Sequence, residues 1–261
     1  MGRLEETISG ANASGTKALA LFVTAGYPTL NTTVQLLIQL HDAGADLIEI
    51  GMPFSDPLAD GPVIQQSSMT ALRNGVTLAR ILDDVRSVRK SSDVPIVLMG
   101  YMNPILRFGP EKFFDTAARA GVDGVIIPEL PLGEGENIRA MMRVRGLADI
   151  LLVAPTSSPE RVQAIDSACR GFLYCVSTTG VTGAGAHTPE MEYVRMVKRE
   201  ARRNKVLVGF GISTPDEARM WAGSADGVVV GSALLRKLAA GDPMTAVARW
   251  VTDLKTALKG A

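Results

Sequence analysis

The sequence predicts a (β/α)8 barrel with an N-terminal capping helix, on three observations. The length of 261 residues suits one such barrel, which typically takes about 250 residues. Eight short apolar runs recur along the chain and are nearly continuous in apolar character, as in a parallel sheet covered on both faces. A stretch of helical periodicity follows each run, and no linker or composition break divides the chain. We therefore expect residues 1–261 to form a single barrel domain.

The elements can be placed along the chain. The predicted strands are residues 18–24, 47–51, 96–100, 124–128, 150–154, 172–176, 206–209 and 227–230. Amphipathic spacing predicts helices over 32–43 and 78–89, and a hydroxyl residue followed by proline begins helices over 159–168 and 215–222. Residues 4–9 place Leu4 and Ile8 on one side and are expected to cover the bottom of the barrel. A doubly wound open sheet is the alternative, but it needs fewer strands at this length.

Composition excludes several classes of protein. The 27 basic residues balance the 27 acidic ones, which argues against a nucleic-acid-binding or membrane-surface protein with a basic face. The two cysteines, Cys169 and Cys175, cannot form a disulfide framework, so a reducing compartment is expected. The N-terminus has no apolar signal-peptide segment, and no apolar run approaches the roughly 20 residues of a membrane span. These features predict a soluble cytoplasmic protein.

The second predicted strand carries a carboxylate. Alternation turns Ile48 and Ile50 toward the helices and turns Leu47, Glu49 and Gly51 toward the barrel axis. An inward carboxylate without a cation within the strands should have a raised pKa, as a general acid or base working near neutrality requires. A structural glutamate paired with a charge on a neighbouring strand is the alternative interpretation.

Two further carboxylates follow in the loop PFSDPLADGP. Asp60 lies eleven residues after Glu49, and Asp56 precedes it in the same loop. Three prolines stiffen this segment, which suggests that it presents a group in a fixed place. Asp-Pro and Asp-Gly are also ordinary turn dipeptides, so a purely structural role for both aspartates remains open.

Glycine-rich turns follow three neighbouring strands. They begin at Gly180, Gly209 and Gly231 and contain no lysine. Glycines allow backbone N–H groups to approach an anion, and helix N-termini carry partial positive charge. Phosphate sites recur at this edge of such barrels. The turns therefore predict a phosphate site made of backbone dipoles, although glycine-rich turns also occur for geometric reasons alone.

Apolar and aromatic side chains lie within or just past several strands. In a chain with 5% aromatic residues, they suggest a pocket for a flat apolar group, although most could simply be core. These residues are Phe22, Met99, Tyr101, Ile126, Leu152, Tyr174 and Phe210.

The absence of certain residue types at key positions excludes several reaction mechanisms. No lysine lies at the carboxyl end of a predicted strand, which disfavours a Schiff-base aldolase. No His, Cys or Asp cluster has metal-ligand spacing, and there is no nucleophile elbow or dinucleotide fingerprint. The sequence thus predicts acid–base chemistry by carboxylates, without metal or cofactor, on a phosphorylated substrate with an apolar end.

The chain resembles the tryptophan synthase alpha subunit family. The resemblance is carried by LFVTAGYP, LIEIGMPFSDPLADGP, YMNP, STTGVTG, GFGIST and GSALL, in order and across essentially the whole chain. It implies a (β/α)8 TIM barrel that cleaves indole-3-glycerol phosphate into indole and glyceraldehyde 3-phosphate. It also implies a β-subunit partner in an αββα complex, with pyridoxal phosphate in that partner and none in this chain, and a tunnel that channels indole between the two.

The same resemblance implies roles for single residues. Glu49 would be the general acid and base, and Asp60 would hold the indole N–H and stabilise positive charge on the ring. The substrate would be bordered by Phe22, Tyr174 and Phe210, covered by a lid with Thr182 and Gly183, and held at its phosphate by Gly183, Gly211, Gly231 and Ser232. The residues near the β-subunit surface would be Asp56, Tyr101 and Asn103.

Two positions depart from the family pattern, and three rival functions stay open. Glu129 stands where many members have aspartate, and residues 184–187 lack an arginine that is common there. Both bear on the lid and the partner contacts. The rivals are a stand-alone lyase that releases free indole, a non-catalytic regulatory subunit, and a phosphosugar isomerase on the same barrel.

Overall fold

The computed structural model describes residues 2–176, 188–209 and 211–261. Within these ranges the chain forms nine strands, which lie in one sheet. In chain order they are β1 (Ala18–Thr24), β2 (Leu47–Gly51), β3 (Ile96–Met99), β4 (Gly124–Ile126), β5 (Ala148–Asp149), β6 (Leu151–Val153), β7 (Phe172–Val176), β8 (Lys205–Gly209) and β9 (Gly227–Val230).

Helices connect the strands. Those in the described ranges are α1 (Arg3–Ala13), α2 (Thr33–Asp42), α3 (Pro62–Arg73), α4 (Leu78–Val88), α5 (Met102–Phe108), α6 (Pro110–Ala120), α7 (Glu136–Arg143), α8 (Pro159–Ala168), α9 (Thr188–Glu200), α10 (Pro215–Ala222), α11 (Ser232–Ala240) and α12 (Met244–Ala257). The hydroxyl groups of Ser158 and Thr214 accept hydrogen bonds from the first turns of α8 and α10, which confirms the two predicted helix starts.

The sheet closes into a barrel of parallel strands. Its order is β5-β4-β3-β2-β1-β9-β8-β7-β6, so the two ends of the order are neighbours along the chain. Only Ile150 separates β5 from β6, and its N–H donates to Val125 O of β4 over 3.2 Å. The predicted (β/α)8 barrel is confirmed. The predicted fifth strand began two residues late, because Ala148 and Asp149 already pair with β4.

Side-chain parity divides the core into two layers. Ile48 and Ile50 belong to the layer between strands and helices, whereas Leu47 belongs to the barrel interior, as predicted. The interior layer also contains Leu4 and Ile8 of α1, both almost fully buried. Helix α1 therefore covers the bottom of the barrel and leaves the carboxyl ends of the strands for the site.

One premise of the sequence interpretation was wrong. Lys205 is the first residue of β8, so a cation does lie within a strand. It stands at the amino end of that strand, where its ammonium lies 3.7 Å from Asp226, and it is therefore at the opposite end of the barrel from the predicted site. No helix in the described ranges is long and apolar enough to cross a membrane.

Candidate active site

Glu49 projects from β2 into the top of the barrel interior. It is 1% exposed, and neither carboxylate oxygen has a hydrogen-bond partner among the described residues. Burial, and secondly the nearby Asp60 charge, raise its pKa to about 8. The carboxyl group is therefore largely protonated at neutral pH and can give up its proton without leaving the working range. The inward orientation and the raised pKa both agree with the sequence.

Asp60 lies in the loop between β2 and α3, close enough to Glu49 for its charge to raise the Glu49 pKa. Its pKa is raised to about 6, mainly by burial. A hydrogen bond from Tyr101 lowers the pKa in part, and the Glu129 charge adds a smaller increase. The two carboxyl groups thus differ: near pH 7 Asp60 is mostly ionised while Glu49 holds its proton. Pairs whose environments separate their pKa values in this way are typical of acid–base sites.

Aromatic rings border the two carboxyl groups. The Phe22 ring lies against Gly51, where an added Cβ would come within 2.5 Å of Phe22 Cζ. Tyr174 of β7 is buried and its ring covers Gly209, where an added Cβ would lie 2.7 Å from Tyr174 Cε2. Any larger residue at either strand end would clash with these rings. Phe22 and Asp60 also line one small cavity together with Met99 and Tyr101.

The predicted phosphate edge lies between β8 and β9. These strands pair in parallel, so the turns that follow them lie side by side. Gly211 has a φ of 69°, in the region that favours glycine. Gly231 is the N-cap of α11 and Ser232 its first residue, which leaves N–H groups of that helix start free for an anion. Thr182, Gly183 and Phe210 lie outside the described residues.

A groove of about 650 Å³ opens between the Asp60 loop and α5. Pro53 and Phe54 form one wall, and Asn103, Arg107 and Phe108 form another. Asp56 is exposed on the same loop, and Asn103 is exposed on the helix. Tyr101 differs from both, because it is 7% exposed and its hydroxyl points to the Asp60 loop.

Similarity to known proteins agrees with this geometry. A sequence model of the family described as tryptophan synthase alpha chain matches residues 8–259. The chain belongs to the tryptophan synthase alpha chain family. Members of this family cleave indole-3-glycerol phosphate in tryptophan biosynthesis, and the chain is accordingly a carbon–carbon lyase.

Individual tryptophan synthase alpha chains match over nearly full length. The protein from Geotalea daltonii is 50% identical over 238 residues, which cover 91% of this chain and 90% of the relative. That from Geobacter sulfurreducens is 47% identical and covers 99% of both. The solved alpha subunit from Legionella pneumophila str. Paris has a TM-score of 0.92 at 36% identity over 100% of both chains. A chain of Mycobacterium tuberculosis tryptophan synthase has a TM-score of 0.91 at 36% identity, covering 99% of this chain and 98% of that one.

The alpha-chain site contains one acidic group whose contribution sequence reasoning did not specify. Glu129 follows β4, and its carboxylate accepts a hydrogen bond from the Met102 N–H over 2.5 Å while its charge acts on Asp60. Its place directly after the predicted strand 124–128 was the available signal. Among the described residues no group of three or more His, Cys, Asp or Glu side chains could hold a metal ion.

Proposed function

We propose that Glu49 and Asp60 carry out the retro-aldol cleavage of indole-3-glycerol phosphate in this chain. The observation that carries the proposal is the separation of their pKa values, about 8 and about 6, at one end of a barrel. A site with one protonated and one ionised carboxyl group near neutral pH can donate a proton and stabilise a cation in the same step.

In the proposed reaction Glu49 first donates a proton and then takes one back. Its carboxylic acid protonates C3 of the indole ring, which places positive charge on the ring nitrogen system. The resulting Glu49 carboxylate then removes the proton from the glycerol hydroxyl that becomes the aldehyde. The bond between C3 and the glycerol chain breaks, its electrons return to the ring, and Glu49 ends protonated as it began.

Asp60 supports the charged intermediate. Its ionised carboxylate would accept a hydrogen bond from the indole N–H and lie next to the positive charge that develops after protonation at C3. Such a preformed charge stabilises the transition state most where water is excluded, and Asp60 is half-buried. Phe22 and Tyr174 would border the ring, with Phe210 beside them in the segment outside the described residues.

The phosphate would lie on the β8–β9 edge. Gly211, Gly231 and Ser232 offer backbone N–H groups and the start of α11 there. Thr182 and Gly183 would cover the bound substrate, as the family resemblance implies.

A β subunit is the proposed partner of this chain. Support comes from the likeness to a chain of M. tuberculosis tryptophan synthase and from the groove next to the Asp60 loop. We place the partner on Asp56, Asn103 and the groove walls, with Tyr101 beneath them. The αββα assembly, the pyridoxal phosphate of the β subunit and the passage of indole between the subunits belong to the same proposal, as does a cytoplasmic location.

Indole release from indole-3-glycerol phosphate tests the function, with the purified chain alone and with a cognate β subunit. We expect slow release alone and a large increase with the β subunit. Glu49→Gln should retain substrate binding while losing about 10²-fold or more in turnover, the contribution typical of a general acid or base. Glu6→Gln, an exposed carboxyl group on α1, is the matched control and should match wild type.

Other outcomes would contradict parts of the proposal. Fast release without any β subunit would favour the stand-alone lyase. No release under either condition would leave a phosphate-binding barrel without this activity. A Glu49→Gln variant that keeps more than about a tenth of the wild-type rate would remove Glu49 from the role of acid and base.

A further inference from the structure

The turn that carries Asp60 lies largely at the surface. Ser55, Asp56, Leu58 and Ala59 are exposed. Within the loop, the Leu58 N–H donates to Asp56 O and the Asp60 N–H donates to Pro57 O, both over 3.0 Å. These are local turn contacts, and the Gln65 side-chain amide of α3 also donates to Asp60 O over 2.8 Å. None of these three bonds reaches the Asp60 carboxylate. A group on the rigid sheet is needed to fix where the Asp60 carboxylate points.

Tyr101 supplies such a group. It follows β3 closely, is the N-cap of α5 and is almost fully buried. Its phenol oxygen accepts a hydrogen bond from the Ala59 N–H over 2.9 Å. Tyr101 and Asp60 also line one small cavity, and the hydroxyl acts on the Asp60 carboxylate as a hydrogen-bond donor that lowers its pKa. The hydroxyl thus acts on two successive residues of the loop.

Tyr101 contacts the Asp60 loop through its ring and the barrel through its backbone. Its ring lies 5.3 Å from that of Phe54, centroid to centroid, at an interplanar angle of 35°. On the next residue, the Met102 N–H donates to Glu129, which ties the start of α5 to the end of β4. The backbone at Tyr101 is therefore tied to the ends of β3 and β4, while its ring and hydroxyl contact the Asp60 loop.

We propose that Tyr101 is a positioning residue for Asp60, holding the loop backbone and the carboxylate at once through its single hydroxyl. This inference rests on the proposed function, since the role is measured through indole release. Tyr101 would then act within the active site, in addition to lying beneath the proposed partner surface.

The charges around Asp60 decide how the proposal shows itself in a pH profile. The titratable groups that act on it or on its neighbour Glu49 are Tyr101 after β3, Glu129 after β4, Tyr174 on β7 and Glu49 itself on β2. The hydrogen bond from Tyr101 lowers the Asp60 pKa, and the Glu129 charge raises it. Loss of activity at low pH should follow protonation of Asp60, because its neutral form cannot stabilise the ring cation.

Tyr101→Phe tests the hydroxyl alone, since the ring against Phe54 is kept. We expect kcat for indole release to fall about 10- to 100-fold, the range for losing hydrogen bonds to a charged group, with KM changed by less than about threefold. The acid limb of kcat should move to higher pH, because the Asp60 pKa rises when the donor is gone. A substrate ionisation would not move with this variant.

Glu129→Gln should shift the acid limb in the opposite direction. The amide oxygen can still accept from the Met102 N–H, but the negative charge near Asp60 is lost, so the acid limb should move to lower pH. The matched control is Tyr193→Phe on α9, whose buried hydroxyl lies beside the Cys175 thiol. Tyr193→Phe also removes a buried phenol hydroxyl, but from the layer between strands and helices and not from the barrel interior. It should leave both kcat and the pH of the acid limb unchanged.

The outcomes separate this inference from the proposed function. Active wild-type protein with an unchanged Tyr101→Phe profile would overturn the positioning role and leave the function intact. A fall in kcat for Tyr101→Phe without any shift of the acid limb, or equal losses in Tyr193→Phe, would show a merely structural role and also overturn it. Inactive wild-type protein would instead contradict the proposed function.

Discussion

Glu49 is the residue at which function acts against stability. Its carboxyl group is fully buried and neither oxygen has a hydrogen-bond partner among the described residues. Its pKa in the folded protein, about 8, lies far above the ordinary glutamate value of 4.5. Between these two pH values the unfolded chain ionises this group while the folded protein keeps its proton, so stability falls as pH rises through that window.

Glu49→Gln should therefore stabilise the protein. We expect its unfolding free energy at pH 7 to exceed that of wild type by roughly 1–3 kcal/mol, because one pKa unit corresponds to about 1.4 kcal/mol. The difference should shrink toward pH 4, where wild-type Glu49 is protonated in both states. Denaturant unfolding at several pH values measures this. A variant no more stable than wild type at pH 7, or a difference that does not depend on pH, would contradict the buried neutral carboxyl group.

At the scale of the element, α1 is a plug whose contribution can be separated from catalysis. Leu4 and Ile8 pack inside the barrel with side chains of several strands. The site lies at the other end of those strands, so the helix stabilises the barrel without touching substrate.

Ile8→Ala should lower the unfolding free energy by about 2–5 kcal/mol, because the deleted atoms leave a cavity at the bottom of the barrel. KM for the substrate should stay near wild type wherever the variant is folded. Glu6→Ala, on the exposed side of the same helix, is the control and should change stability by no more than about 0.5 kcal/mol. Chemical denaturation and steady-state kinetics distinguish the two effects. Equal stabilities for Ile8→Ala and wild type would mean that α1 does not cover the interior.

The Asp60 loop and α5 show how far element prediction reaches. Pro62 begins α3, and its place at the end of a proline-stiffened loop was visible in the sequence. The contact that positions Asp60 was not, because Ala59 and Tyr101 are 42 residues apart and meet only once β2 and β3 are paired. A sequence motif can identify Asp60, but Tyr101, which positions it, is recognised only in the folded chain.

At the scale of the whole molecule, exposed apolar side chains gather on the face proposed for the partner. Leu58 is 84% exposed on the Asp60 loop and Leu106 is 55% exposed on α5, and both segments also line the groove. Exposed apolar side chains beside a groove are typical of protein interaction surfaces. Val144, 79% exposed after α7, lies at the opposite end of the barrel, where helices end.

Leu106→Asp should weaken activation by the β subunit. A charge on the partner face should raise the β-subunit concentration needed for half-maximal stimulation about tenfold or more. Val144→Asp is the matched control, because it places the same charge on another exposed apolar position away from that face, and it should leave stimulation unchanged. Titration of indole release with the β subunit measures both. Equal effects of the two variants would move the partner away from the groove.

The amino-acid sequence by itself determined the parallel barrel, its plug helix and the inward carboxylate of Glu49. These follow from periodicity and side-chain parity, which are local properties of the chain. The tertiary structure alone decided that the barrel closes at Ile150, that Tyr101 reaches the Asp60 loop, and that the two carboxyl groups titrate near 8 and 6. Those features depend on desolvation and on contacts between residues far apart in sequence, which exist only when the strands are assembled.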